Sequence, residues 1–262
     1  MMAIHHDEAG TVDAPLIVLV HGTMDRATGM LLLSRRLDDR FRVLRYDRRG
    51  YGRSAPHDGP FDMQAQVDDL MALIDDRPAV VVGHSYGGNV ALAAAAQHPG
   101  VIHGVAVYES PLSWEPWWPG TTAGAAARAT AGDSAEAAER FMRRLITDEV
   151  WEALPERTRA TRRAEGAAMV GELRDLQANR PWRAEQIRCP LVVSAGSRGV
   201  QHHRDGMAFV HDQIAASVLV ELPGCRHDAP MRHADLFATS IVEPLMRMVG
   251  GGWADQVSCS AD

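Results

Sequence analysis

The sequence has few cysteines, and the three that it has form no recognisable pattern. Cys189, Cys225 and Cys259 lie far apart among 262 residues, and no two of them are spaced as C-x-x-C. Neither a disulfide framework nor a cysteine-based zinc site is therefore expected.

Positive charge and long apolar runs are also scarce. The chain carries 27 Lys+Arg against 34 Asp+Glu, a formal net charge of −7, whereas nucleic-acid-binding proteins concentrate basic residues. No apolar stretch approaches the roughly 18 residues of a membrane-spanning helix. The first residues lack the basic and apolar regions of a secretory signal. We therefore expect no nucleic-acid partner, no membrane partner and a cytoplasmic location.

What is present is the composition of an ordinary folded domain, with 46% hydrophobic and 23% charged residues. Apolar runs suited to buried strands alternate with stretches of helical periodicity. This alternation predicts an α/β fold, in which helices cover both faces of a mostly parallel sheet. The expected strands are residues 15–20, 41–46, 79–82, 101–108, 189–196 and 218–222.

The stretch around Ser85 carries the strongest functional signal. Gly83-x-Ser85-x-Gly87 directly follows the apolar run at 79–82 and leads into an alanine-rich helix. This order is what a nucleophile elbow requires, because the serine must stand on a sharp, strained turn between strand and helix. We interpret Ser85 as a nucleophile in preference to an ordinary serine that caps the helix.

The end of the first predicted strand supplies a second element of the same site. That strand stops at His21-Gly22, which brings the following residues beside the elbow. In elbow hydrolases the two donors of the oxyanion hole are a backbone N–H from this loop and that of the residue after the nucleophile. The amides of Thr23 and Tyr86 are the predicted donors, and Met24 is a predicted substrate-binding residue.

Three motifs taken together resemble those of the α/β-hydrolase fold superfamily. They are His21-Gly22, Asp47-x-Arg49-Gly50-x-Gly52-x-Ser54 and Gly83-x-Ser85-x-Gly87. The resemblance covers nearly the whole chain apart from a middle insert, and it implies an architectural role for Asp47 and Arg49. A serine needs an imidazole to take its proton. His227 follows the last predicted strand, where the superfamily places its histidine, and is the predicted base.

The acid departs from the commonest pattern of that superfamily. Most members place an aspartate after the strand that is here 191–195, but residues 196–200 contain no carboxylate. Glu109 ends the strand next to the elbow strand, so its side chain should reach the same crevice. This resembles haloalkane dehalogenases and zearalenone lactonases. We predict a Ser85-His227-Glu109 triad, with Asp205 as the alternative acid and Asp228 poorly placed.

The middle of the chain differs from the rest in composition. The domain prediction is a hydrolase core of residues 1–110 and 187–262, with a helical cap at 111–186. Cap helices are expected at 135–146, 158–169 and 171–177. Trp114, Trp117 and Trp118 are the predicted substrate-binding tryptophans of an entry loop, although such aromatics form the core of a small domain as readily as they line a pocket.

No metal or cofactor is predicted. His202, His203 and His211 with Asp205 match no metal site of arguable geometry, so they are interpreted as surface residues. A serine at position 85 excludes the dehalogenase and epoxide-hydrolase chemistries, which need a carboxylate there.

The leading hypothesis is hydrolysis of a hydrophobic carboxylic ester or lactone, a small-molecule substrate, through an acyl-enzyme. Thioester or carbon–carbon hydrolysis, cofactor-free perhydrolysis and a non-hydrolytic binding protein stay as alternatives. A homo-oligomer also stays open.

Overall fold

A seven-stranded sheet organises the chain. The computed structural model describes residues 3–130 and 132–257. The strands are β1 His6–Ala9, β2 Leu16–Val20, β3 Arg42–Tyr46, β4 Ala79–His84, β5 Ile102–Tyr108, β6 Leu191–Gly196 and β7 Ser217–Leu222. Their spatial order is β1-β3-β2-β4-β5-β6-β7. β1 pairs antiparallel with β3, and the other neighbours are parallel.

The sheet is mostly parallel, and its central strands are apolar on both faces. In β2, Ile17 and Leu19 belong to one buried cluster, whereas Leu16, Val18 and Val20 belong to the other. A strand of this kind is stable only where helices cover both sides. β4, which precedes Ser85, lies fourth in the order and is buried along its whole length.

Helices supply these two layers. They are α1 Leu31–Leu37, α2 Met63–Ile74, α3 Tyr86–Gln97, α4 Ala123–Arg128, α5 Ser134–Ile146, α6 Asp148–Ala153, α7 Glu156–Ala164, α8 Gly166–Ala178, α9 Gln201–Gln213, α10 Ala229–Arg232, α11 Ala234–Phe237 and α12 Glu243–Val257. α2, α3 and α9 pack on one face, and α1 with α10, α11 and α12 on the other. The predicted α/β fold is confirmed.

The six predicted strands are all present. β1 was not predicted, because His6–Ala9 is a short, polar and partly exposed edge strand without an apolar run. The helix predicted at 158–169 is wrong, since α7 ends and α8 begins around Glu165. There the Glu165 carboxylate turns inward and accepts hydrogen bonds from Arg26 (2.5 Å) and from the backbone N–H of Gly52 (3.0 Å).

Residues 111–186, called the insert below, connect β5 to β6 and contain α4 to α8. Trp151 is fully buried in the cluster that α5 and α8 form, and Met24 and Tyr51 from outside the insert join this cluster. Trp151 is therefore a core residue of the insert. The stretch at 114–119 contains no helix, as its prolines predict.

Two simple properties complete the description. No helix within the described residues is long and apolar enough to cross a membrane. Cys189 and Cys225 are buried free thiols, while Cys259 lies outside the described part of the chain.

Candidate active site

Ser85 stands on a strained turn between β4 and α3. Its backbone has φ 54° and ψ −124°, a left-handed conformation that is costly for a residue with a side chain. The turn is held by a hydrogen bond from the Ser85 amide to the Tyr108 carbonyl (2.9 Å). At Gly87 a Cβ atom would collide with the carbonyl oxygens of Val20 and His21. Gly87 thus allows α3 to begin directly against the end of β2.

The loop after β2 packs against this turn. A Cβ atom placed on Gly22 would lie 2.9 Å from Ser85 Cβ, so the backbone that leads into Thr23 passes beside the serine. His21 fixes the loop from behind: its Nδ1–H donates to the Gly22 carbonyl (2.7 Å), and its Nε2 accepts from the Arg48 amide (2.9 Å). Burial, followed by the nearby Arg48 charge, lowers the pKa of His21 well below 6.5, so the ring is neutral.

His227 lies on the loop after β7 and contacts the carboxylate of Glu109. Its Nδ1–H donates to Glu109 Oε2 at 2.7 Å. Because a carboxylate only accepts, this bond places the proton of neutral His227 on Nδ1 and leaves Nε2 with a free lone pair. The imidazole side chain is 29% exposed, whereas the carboxylate is fully buried. The structure thus brings together the predicted base and the predicted acid.

Glu109 is held as an anion. Burial alone would raise its pKa, but hydrogen bonds from His203 and His227 outweigh burial and hold the pKa well below 4.5. Oε1 also accepts the Gly196 amide at 2.9 Å. Glu109 itself has φ 49°, and strained backbone is common where a side chain must be aimed at a reaction centre.

His203 is the functional candidate that sequence reasoning missed. Its Nδ1–H donates to Glu109 Oε2 at 3.0 Å, on the same oxygen that His227 uses. The side chain is 14% exposed, so the prediction of a surface histidine is wrong for this residue. The reason is that α9 begins at Gln201, so His203 lies in its first turn, which faces the end of β5. In the sequence, the absence of a carboxylate at residues 196–200 was the available signal, because it indicates that another group approaches the site from this loop.

His84 anchors the loop that carries the base. It is 4% exposed, its Nε2–H donates to the His227 carbonyl (2.8 Å), and the two rings lie 4.6 Å apart. Burial, helped by the neighbouring His227, lowers the pKa of His84 from 6.5 to about 3. Tyr108 adds a second anchor by donating to the Arg226 carbonyl at 2.8 Å. Side chains of β4 and β5 therefore hold the loop that carries His227, called the base loop below.

A second buried carboxylate lies beside the loop that follows β2, called the β2 loop below. Glu172 of α8 accepts from Arg48 (2.6 Å), from the Tyr51 hydroxyl (2.8 Å) and from the Thr23 hydroxyl (2.7 Å). Arg48 and Glu172 are both fully buried. Arg48 also donates to the carbonyls of His21 and Gly22. The insert is thus tied to the loop that carries the predicted oxyanion donor.

The architectural prediction for Asp47 and Arg49 agrees with their contacts. Asp47 accepts the amides of Ala27 (2.7 Å) and Arg53 (2.8 Å), which shapes the loop after β3. Arg49 forms a two-pronged ion pair with Asp69 of α2 at 2.6 and 2.7 Å. Both side chains are therefore occupied in holding loops in place.

The four predicted substrate-binding residues have different surroundings. The ring of Trp118 is stacked on His203 with centroids 5.8 Å apart, which brings it next to the site. Trp114 packs edge-on against Trp182 (5.7 Å), and the exposed Trp117 against Phe209 (5.3 Å). Met24 is buried in the cluster of the insert. Of the described ring contacts of these tryptophans, only those of Trp118 reach a residue bound to Glu109.

The alternative acids face elsewhere. Asp205 is exposed and accepts from Gln201 at 2.6 Å. Asp228 pairs with Arg232 at 2.6 Å. Within the described residues, Glu109, His203 and His227 place their donor atoms within 4.8 Å of one another, as ligands of a metal ion would. The two Nδ1–H···Oε2 hydrogen bonds account for this clustering by themselves.

Comparison with known proteins gives a family. A model described as "Alpha/beta hydrolase family" matches residues 17–240. The pimeloyl-[acyl-carrier protein] methyl ester esterase of Chromobacterium violaceum is 27% identical over 247 residues, which are 88% of this chain and 94% of that protein. The enol-lactonase from Burkholderia xenovorans LB400 superposes with a TM-score of 0.69 at 27% identity, covering 90% of this chain and 94% of that one.

Other similarities are shorter. A putative esterase/lipase of Haemophilus influenzae is 25% identical over 114 residues, or 42% of this chain and 39% of that protein. For three such curated relatives the match spans 34–39% of the relative's length. The shared part contains too little of those proteins to assign their substrates to this chain.

Proposed function

Since the chain belongs to the alpha/beta hydrolase family, we propose that it hydrolyses a carboxylic ester or lactone through an acyl-enzyme formed on Ser85. The observation that carries this proposal is the 2.7 Å hydrogen bond between His227 Nδ1 and the buried Glu109. It leaves His227 Nε2 as a lone-pair acceptor on a loop that His84, the residue before Ser85, holds in place.

The first half of the reaction forms the acyl-enzyme. Ser85 Oγ attacks the substrate carbonyl carbon while His227 Nε2 takes the hydroxyl proton. The carbonyl oxygen becomes an oxyanion, which the amides of Thr23 and Tyr86 stabilise. When the tetrahedral intermediate collapses, the carbon–oxygen bond to the leaving group breaks and the imidazolium gives its proton to the departing alkoxide. Glu109 stabilises the transient imidazolium because it remains an anion throughout.

The second half regenerates the serine. A water molecule replaces the leaving alcohol, His227 Nε2 takes a proton from it, and its oxygen attacks the acyl carbon. The second intermediate expels Ser85 Oγ, which recovers its proton from His227. The product is a carboxylic acid. With a lactone the alcohol stays attached to the acid, so one hydroxy acid leaves instead of two products.

We also propose that the insert acts as a cap over this site. Two contacts support the proposal: Trp118 stacks on His203, and Glu172 bonds the hydroxyl of Thr23. Trp118, a buried tryptophan of the insert beside the site, favours a hydrophobic acyl group. Two relatives whose matches span most of this chain are named for an ester and for a lactone, which favours these two substrate classes over thioesters.

Covalent labelling tests the nucleophile. A fluorophosphonate should label the folded protein at one site, and a peptide containing Ser85 should carry the added mass. The matched control is Ser110→Ala, another serine near the elbow, which should label normally, whereas Ser85→Ala should not label. Folded wild-type protein that fails to react would favour the alternative of a non-hydrolytic binding protein.

A substrate panel tests the chemistry. p-Nitrophenyl esters of increasing chain length and a set of lactones should be hydrolysed by the wild type and not by Ser85→Ala. The proposal of a hydrophobic acyl site predicts that kcat/KM rises with chain length, because each buried methylene adds about 0.8 kcal/mol of apolar transfer energy. A decisive preference for acetyl esters would contradict it.

A further inference from the structure

We propose that His203 is a positioning residue of the catalytic site, which holds and tunes Glu109 through the same carboxylate oxygen that His227 contacts. This inference rests on the proposed function, since it concerns the acid of the same triad. His203 donates its Nδ1–H to Glu109 Oε2 at 3.0 Å, and His227 donates to that same oxygen at 2.7 Å. One carboxylate oxygen thus shares its negative charge between two imidazoles.

The proton arrangement of His203 follows from its surroundings. Glu109 is an anion and cannot donate, so the proton of His203 must lie on Nδ1. Burial lowers the pKa of His203 from 6.5 to about 4, which keeps the ring neutral at pH 7. His203 is therefore a neutral donor that orients the carboxylate and withdraws part of its charge, without adding a positive charge beside His227.

His203 is itself held rigidly. Its ring stacks on Trp118 at an interplanar angle of 20°, and it lies 4.8 Å from the ring of His227. Trp118 belongs to the insert, so the insert reaches Glu109 through Trp118 and His203. His202 also contacts Trp118 (4.9 Å, edge-on), but no hydrogen bond joins it to Glu109 among the described residues.

The effect on pH dependence can be derived because the surroundings of Glu109 and His227 are known. The titratable groups that face them are His84 from β4, Tyr108 from β5, His202 and His203 from α9, and Cys225 and Asp228 from the base loop. Removing the His203 N–H leaves more of the carboxylate's charge for His227. The imidazolium form of the base is then stabilised, and more alkaline conditions are needed to free Nε2.

Two substitutions separate this role from simple packing. His203→Phe keeps a ring against Trp118 but removes the donor, whereas His203→Asn keeps an N–H near the Nδ1 position but removes the ring. For His203→Phe we expect the acidic limb of kcat/KM against pH to move up by about one pH unit, the order expected for one hydrogen bond to a charged group. His203→Asn should keep the limb near its wild-type position. His211→Phe is the matched control, because this histidine lies on the same helix but bonds the Ser217 hydroxyl, and it should leave the profile unchanged.

The outcomes distinguish the possibilities. A wild-type profile for His203→Phe together with an altered one for His203→Asn would assign His203 to packing and overturn the inference. Fluorophosphonate labelling of the same samples provides a separate readout. If the wild type does not label at Ser85, the proposed function fails. If it labels and His203→Phe behaves as His211→Phe does, only the inference about His203 fails.

Discussion

Two buried glutamates flank the candidate site, and they differ in the chemistry of their partners. Glu109 and Glu172 are both fully buried and each accepts several hydrogen bonds. Glu172 faces the guanidinium of Arg48, whereas Glu109 faces two imidazoles. Although burial opposes it, the charge of Glu172 raises the pKa of Arg48 above its ordinary value, so Arg48 stays charged at every practical pH.

The difference shows how one residue type can serve two purposes. A carboxylate opposite a permanent cation is held in position, which suits a brace between the insert and the β2 loop. A carboxylate opposite neutral imidazoles has hydrogen-bond partners, but no positive charge neutralises it. It can therefore stabilise a positive charge that appears on His227 only during the reaction.

The largest expected effect is on catalysis, at Glu109. Glu109→Gln should lower kcat by roughly 10³–10⁴-fold, because an amide cannot stabilise the imidazolium and can offer His227 a donor in place of an acceptor. Steady-state kinetics with a p-nitrophenyl ester measure this change, and circular dichroism should show an intact fold. A fully active Glu109→Gln enzyme would show that this carboxylate is not the acid.

The next effect is on stability, at Glu172. Glu172→Gln should lower the free energy of unfolding by about 3–5 kcal/mol, since it leaves the buried charge of Arg48 unpaired. Urea denaturation at pH 7 measures it. The Arg48→Met/Glu172→Gln double variant should lose less than the sum of the two single variants. Equal losses for Glu172→Gln and Glu109→Gln would remove the contrast between brace and catalytic acid.

Acid should destabilise the Glu109 side through its histidines. Burial depresses the pKa of His84 to about 3 and of His203 to about 4, against 6.5 unfolded. A histidine with a depressed folded pKa contributes stability that is present above pH 6.5 and is lost as the pH falls, because the unfolded state binds the extra proton. The expected loss is about 1.4 kcal/mol per pH unit for each histidine.

Urea midpoints between pH 6.5 and 4.5 check this expectation. In that window the contribution of Glu109 to stability does not change with pH, because a carboxyl group with a depressed folded pKa loses its contribution only as the pH falls below 4.5. His203→Phe should reduce the slope of the unfolding free energy against pH by the amount that corresponds to about one proton. A slope that His203→Phe leaves unchanged would show that His203 is not neutral in the folded protein.

The smallest expected effect is at Asp205, the alternative acid from the sequence. Asp205→Asn should leave kcat/KM within about twofold, because exposed side chains far from the chemistry contribute little. Its carboxylate bonds Gln201 in place of His227. A large loss of activity in Asp205→Asn, with Glu109→Gln active, would exchange the two assignments.

Local sequence patterns predicted most of the fold. The apolar runs became β2 to β7, and the glycines around Ser85 predicted the turn, since both signals depend on neighbouring residues. β1 was missed because edge strands lack an apolar run. The division between α7 and α8 was missed because it depends on Glu165 binding Arg26 and Gly52, which are more than 100 residues away in the chain.

Predictions for the site divide in the same way, between residues that local patterns predict and residues whose role depends on distant contacts. Glu109 was predicted because the order of strands in a parallel sheet fixes which strand ends meet. His203 and Glu172 were not, because their importance depends on where α9 and α8 lie against the sheet. In the sequence, His203 stands among twelve histidines, and Glu172 resembles any polar residue of a helix. Such contacts between distant segments require a three-dimensional structure.

The central claim is that Ser85 becomes acylated, and trapping that intermediate tests it most directly. The wild type, quenched in acid during turnover of a p-nitrophenyl ester, should gain the mass of one acyl group on the peptide that contains Ser85. Ser85→Ala should show neither the adduct nor turnover. An acyl group found on a different residue, or turnover by Ser85→Ala at the wild-type rate, would contradict the account.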